Sequence, residues 1–141
     1  MKIYSTMTLE EKINESETRV CTTVFPFLTN HHDTLFGGKA MAIMDEVSFM
    51  AATRFCRKRL VTVSTDRIDF KKAIPSGSII EAIARVDSIG RTSLKIKVEI
   101  YLEHMYEEGR ELAIQGLFTF VALDENKKPI PVLEGLDIAQ G

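Results

Sequence analysis

Apolar residues alternate with polar ones in several short stretches of this chain and fill nearly every position of one longer stretch. The clearest alternation sets Leu94, Ile96, Val98, Ile100 and Leu102 against Lys95, Lys97, Glu99, Tyr101 and Glu103. That period of two predicts a strand with one face on a core and the other on solvent. Thr18 to Phe25 is β-branched and alternating and stops at Pro26, which predicts a first strand. Leu60 to Phe70 begins with Val61 and Val63 in the inward phase and ends with Ile68 and Phe70 in the opposite one, predicting a strand with a bulge or bend. Ser78 to Ile89 predicts another strand, with Ile74-Pro75-Ser76-Gly77 turning the chain before it and Gly90 making a tight turn after it. Glu111 to Leu123 carries large apolar residues in both phases, as a central or interface strand does.

Between the first two of these strands the period changes. From Lys39 to about Phe55 the only charged residues are Lys39, Asp45, Glu46 and Arg54, so no face is polar, and the run predicts a helix enclosed by protein. A helix of ~17–20 residues is ~25–30 Å long, which matches the breadth of a small sheet. The order of elements is strand, long helix, then four strands in an antiparallel meander. It predicts an α+β domain in which the sheet wraps around one central helix. Residues 1–17 read as a peripheral lead, and Pro129, Pro131 and Gly135 make the tail from Asp124 irregular. No repeat or linker divides the chain, so 1–141 reads as a single domain.

Composition narrows the function classes. With 141 residues, 45% of them hydrophobic, the chain can bury a sizeable core. A formal net charge of -2 offers no general attraction to nucleic acid. No run reaches the ~18 apolar residues of a membrane helix and the N-terminus has no apolar signal core, so the chain is expected to be cytoplasmic, without a membrane partner. Cys21 and Cys56 lack CxxC or metal-ligand spacing and read as reduced, partly buried packing thiols. His31 and His32 are adjacent on a loop with no third ligand at useful spacing, so no metal is expected. His104 reads as a strand-end surface residue. Walker-type, dinucleotide and nucleophile-elbow signatures do not occur.

Chemistry concentrates around the helix. Leu35-Phe36-Gly37-Gly38 provides no side-chain cap, so the first amide N–H groups of the helix lack a local partner, and the missing Cβ atoms let another molecule approach. Such a start suits an oxyanion or a polarised carbonyl, although a glycine pair also serves simply as a tight turn. Carboxylates in an apolar helix are costly to bury unless paired or used. Asp45 and Glu46 project ~100° apart, and helical geometry does not say which of them faces a cleft. Asp45 follows Gly38 by seven residues, ~10 Å along the axis. That is too far for both to act on one small group, which needs donor and base within ~3 Å of neighbouring atoms. Two copies with antiparallel helices would bring the glycine end of one to the carboxylate of the other, giving two sites per twofold dimer.

Asn30-His31-His32-Asp33-Thr34-Leu35-Phe36-Gly37-Gly38, Met44-Asp45-Glu46, Val61-Thr62-Val63-Ser64 and Gly90-Arg91-Thr92-Ser93 together resemble the hotdog-fold acyl-CoA thioesterases of the YciA and cytosolic acyl-CoA hydrolase group, over about residues 18–125. The resemblance implies a hotdog fold with its active sites at a dimer interface, and hydrolysis of acyl-CoA to a carboxylic acid and free CoA. It implies Asp45 as the base that activates water, with Gly38 and neighbouring amides, Gly37 among them, polarising the thioester carbonyl. Asn30 would orient water or carbonyl from the opposite subunit. Direct attack by Asp45, forming an anhydride, stays open. No cofactor is implied beyond the CoA of the substrate. Arg91, with Gly90, Thr92 and Ser93, and Lys71 and Lys72 are candidates for the CoA phosphates. Arg57-Lys58-Arg59 equally serve the dipole at the helix C-terminus. Ser64 and Thr65 are candidates for lining the pantetheine channel. Met41, Met44, Phe49 and Met50 could shape an acyl tunnel or be plain core. The family suggests a homodimer assembling into a hexamer, as a trimer of dimers, or a tetramer. The alternative reading is a non-catalytic acyl-CoA binding or sensor protein on the same fold. A dehydratase ranks below both, since no carboxylate has a convincing His partner.

Overall fold

The computed structural model describes residues 7–133, so the first six residues of the lead and the tail beyond 133, with Gly135, lie outside the described residues. The uniformly apolar run is one 20-residue helix, α2, Gly37–Cys56. Its buried stripe of Ala40, Met44, Val47, Ser48, Ala51, Ala52 and Phe55 recurs every three to four positions, and the alanines let the sheet approach closely. Around it lie α1 (Leu9–Ser16) and strands β1 (Thr18–Thr23), β2 (Arg59–Phe70), β3 (Ile79–Ile89), β4 (Ser93–Glu103) and β5 (Glu111–Leu123). The strands form a single antiparallel sheet in the order β1-β3-β4-β5-β2.

The sheet presses its inward phase on the helix. Ile80, Ala82, Ala84 and Val86 of β3 stand opposite Leu102, Ile100, Val98 and Ile96 of β4, and all are buried. Phe118 and Phe120 of β5 join Met44 and Phe55 in the same core. α1 is tied on through Arg54 of α2, whose guanidinium donates to the carbonyls of Glu15 and Glu17 and to the Thr18 hydroxyl, at 2.9–3.0 Å.

Three sequence expectations are corrected. The helix is not enclosed on every side, because Met41 and Phe49 remain 37% and 43% exposed; the chain's own sheet covers one face only. The four later strands are not a simple meander, since β2 pairs with β5 at the far edge and the segment after it crosses to β3. That crossover runs along the loop before α2, with Leu35 N–H donating to Ile74 O and Ser76 N–H to Asp33 O, at 2.7 and 2.8 Å. In β2, Val61 and Val63 are exposed while Leu60 is buried. Thr62 stands opposite Phe120 and Ser64 opposite Thr119, so Val63 is a bulged extra residue and Thr62 shares the inward phase with Leu60. A second irregularity follows between Asp66 and Asp69, around Arg67 at φ 52°.

Both cysteines are free; Cys56 is half-buried, and Cys21 is exposed rather than partly buried. No helix among the described residues is long and apolar enough to cross a membrane.

Gly116 of β5 leaves the space that the end of β2 needs. A Cβ there would lie 2.3 Å from Ile68 Cδ1 and 3.1 Å from Met44 Cε. Gly116→Ala is therefore expected to cost about 1–3 kcal/mol through forced repacking, read as a lower urea midpoint with an unchanged slope.

Candidate active site

The helix start is built as the uncapped sequence requires. Phe36, in extended conformation, occupies the N-cap and offers no side-chain acceptor. Lys39 and Ala40 donate to Phe36 O at 2.9 and 3.0 Å, while the amides of Gly37 and Gly38 have no acceptor among the described residues. Two N–H groups thus point outward from the positive end of the helix dipole. The Phe36 ring lies against Gly38, where a Cβ would come within 3.2 Å of it, and the Phe70 ring lies 4.0 Å from a Cβ placed on Gly37.

Asn30 sits in the loop that leads to this start. Its Oδ1 accepts from His32 N–H (2.8 Å), Thr34 N–H (3.3 Å) and the Thr34 hydroxyl (3.2 Å). Phe36 N–H then donates to Leu28 O at 2.9 Å, fastening the loop beside the glycines. With its oxygen committed to the loop, Asn30 has only its Nδ2 donors to offer outward.

Asp45 lies two turns further along α2, half-buried, with Glu46 exposed on another side. Within one chain, then, one carboxylate of the pair is partly buried and the other reaches solvent. Asp45 Oδ1 accepts from the Thr62 hydroxyl at 2.9 Å, which orients the carboxylate and leaves Oδ2 available. Thr62 is the residue that sequence reasoning passed over. Its signal was the Val61-Thr62-Val63-Ser64 segment, but without the bulge at Val63 the valines took its place in the inward phase.

The structure divides the remaining candidates. Thr65 stands opposite Phe118 and faces the helix, whereas Ser64 stands opposite the outward Thr119, on the other face of the sheet. Gly90, Arg91, Thr92 and Ser93 form the β3–β4 turn, closed by Gly90 N–H to Ser93 O at 2.8 Å and held to β5 by Ala122 N–H to Thr92 O at 3.0 Å. Ser93 lies in one row with Val121 and Val61, next to Thr62, so the Arg91 turn belongs to the Asp45 end. Lys71 and Lys72 lie at the glycine end, lining a cleft of about 330 Å³ with Leu35, Phe70, Ala73, Ile74 and Ile114. Lys72 pairs with Glu111 at 3.0 Å. Arg57 takes the left-handed C-cap of α2 at φ 55°. Met44 is fully buried core. His31 and His32 lie 3.9 Å apart between ring centroids with their planes tilted by 43°, and no group of three or more His, Cys, Asp or Glu side chains among the described residues is arranged to hold a metal ion. Burial pushes the Cys56 thiol up, and partial desolvation reinforced by Glu81 does the same to Cys21, so neither is a ready thiolate.

A family model described as Thioesterase superfamily matches residues 32–108. The chain is 41% identical over 124 residues to the Bacillus subtilis protein named uncharacterized acyl-CoA thioester hydrolase YkhA, spanning 82% of this chain and 72% of that protein. The Staphylococcus aureus acyl-CoA hydrolase, solved in complex with butyryl coenzyme A, coenzyme A and coenzyme A disulfide, is 38% identical with a TM-score of 0.81, over 84% of this chain and 73% of that one. The same hydrolase has also been solved with an Asp, a Thr or an Asn replaced by Ala. An apo-hexameric acyl-CoA thioesterase superposes with a TM-score of 0.81 at 34% identity, over 84% and 76% of the two chains. By family match, identity and superposed fold, this chain belongs to the thioesterase superfamily, within the hotdog acyl-CoA thioester hydrolases that include YciA and the cytosolic enzymes.

Proposed function

We propose that the protein hydrolyses acyl-CoA thioesters to a carboxylic acid and free coenzyme A, with each reaction centre assembled from two chains. The observation that carries this reading is a carboxylate held by Thr62 on the same helix as two unpaired amide donors, but ~10 Å from them along the axis. Asn30, Gly37 and Gly38 of one chain would meet Asp45 and Thr62 of its twin. Water, deprotonated by Asp45 Oδ2, attacks the thioester carbonyl carbon while the Gly37 and Gly38 amides receive the charge developing on oxygen. Collapse breaks the C–S bond, and the proton held by Asp45 passes to the departing thiolate.

Spacing supports the assignment. The Asn, Asp and Thr replaced in the S. aureus hydrolase are separated by 15 and 17 positions, and so are Asn30, Asp45 and Thr62 here (45 − 30 = 15, 62 − 45 = 17). Relatives named as thioester hydrolases favour turnover over a non-catalytic acyl-CoA sensor. The hexameric relative supports a hexameric assembly, and a relative named cytosolic supports the cytoplasm. The reaction as written draws on no cofactor beyond the coenzyme A of the substrate.

Asp45→Asn should lower kcat by about 10²–10⁴-fold with the fold and CoA affinity retained; near-normal turnover rejects the role. Thr62→Val should lower kcat by about 10–100-fold through misorientation of Asp45, with KM little changed. Mixing Asn30→Ala chains with Asp45→Asn chains under subunit exchange tests the two-chain site. Half the dimers are then mixed and each carries one intact centre, so about a quarter of wild-type activity should return. No recovery would place both groups in the same chain's site.

A further inference from the structure

Two exposed phenyl rings bracket the donor pair at the start of α2, and they are not equivalent. Phe36, 53% exposed, leans over Gly38 on an open side. Phe70, 54% exposed, reaches Gly37 and also forms a wall of the cleft of about 330 Å³ lined by Leu35, Ile74 and Ile114. Those three are 8%, 2% and 2% exposed, so the floor of the cleft is close-packed core that does not yield. Lys71 and Lys72 also line it, and the Lys72 ammonium pairs with Glu111 at 3.0 Å.

A thioester whose carbonyl oxygen sits on the Gly37 and Gly38 amides must send its acyl chain one way and its coenzyme A arm the other. A cleft with an apolar floor suits the chain and, at about 330 Å³, is too small for a nucleotide with three phosphates. We infer that the cleft between Phe70 and Ile74 receives the acyl chain, and that Phe70 is the residue setting which chain lengths fit. This inference rests on the hydrolase reading above. Phe70 is suited to that role by position: it is inward-facing opposite Ile114, at the last residue of β2, where the sheet's edge is not packed over.

The test compares wild type, Phe70→Ala and Phe70→Trp in kcat/KM for straight-chain substrates from acetyl- to palmitoyl-CoA, with thiol release as readout and circular dichroism as the check on folding. Phe70→Ala should raise the long-to-short ratio by about tenfold or more and Phe70→Trp should lower it, since each methylene excluded or admitted is worth about 10–200-fold. An unchanged ratio in both folded variants, or an equal loss at every length, overturns the assignment. Dissociation constants of non-hydrolysable S-alkyl-CoA thioethers of graded length separate this inference from its parent. Their length dependence must shift in the same direction in the variants even if wild type turns over no thioester, and a flat dependence overturns the acyl cleft by itself.

Discussion

Everything at this site is governed by the rigidity of one helix. An α-helix rises ~1.5 Å per residue, so the seven positions from Gly38 to Asp45 separate the unpaired amides of the helix start from the Asp45 carboxylate by a distance that no rotamer closes. The sheet reinforces that separation, because Met44, next to Asp45, is fully buried among the strands and the helix cannot slide or bend without repacking the core. Under the proposed mechanism, one chain presents two half-sites to the same twofold partner. The half-enclosed helix agrees with this, for its Met41 and Phe49 face is left open where an ordinary monomer would cover it.

The strands divide the same labour. β4 and β5 are central and supply mostly core, whereas β2, at the edge, carries Thr62, Thr65 and Phe70 on its helix side. Its two irregularities are what make this possible. An unbroken strand from Leu60 to Phe70 would keep one phase throughout, and Thr62 and Thr65, three apart, would then face opposite ways. One extra residue at Val63 aligns them.

Much of this architecture was legible because it rests on periodicity. The alternation in β4 and the apolar run of α2 are properties of contiguous residues, and so is the uncapped Phe36-Gly37-Gly38 start. What stayed hidden depends on which strand lies beside which. Alternation records the two faces of a strand and not its neighbour, so the crossover from β2 to β3 read as a simple turn. The bulge at Val63 was anticipated in kind but not in phase, which exchanged the valines for Thr62. The Asp45-Glu46 pair could be found as carboxylates in an apolar helix and the family resemblance chose Asp45, while the Thr62 partner could not be found, since that contact needs the register of β2 against β5. The open face of α2 was invisible for a related reason, because an all-apolar helix looks the same whether its own sheet or a second chain covers it.

Asn30 ties loop shape and outward chemistry to opposite ends of one amide. Its oxygen closes the turn through His32 and Thr34, and only nitrogen faces out. Exchange for aspartate would preserve every bond that folds the turn and put a second, negatively charged oxygen where the N–H groups were, confronting any acidic group across an assembled interface. In this protein a near-isosteric swap can thus reverse the polarity of a surface without disturbing the backbone that presents it, and loop conformation becomes an independent variable from what the loop offers its surroundings.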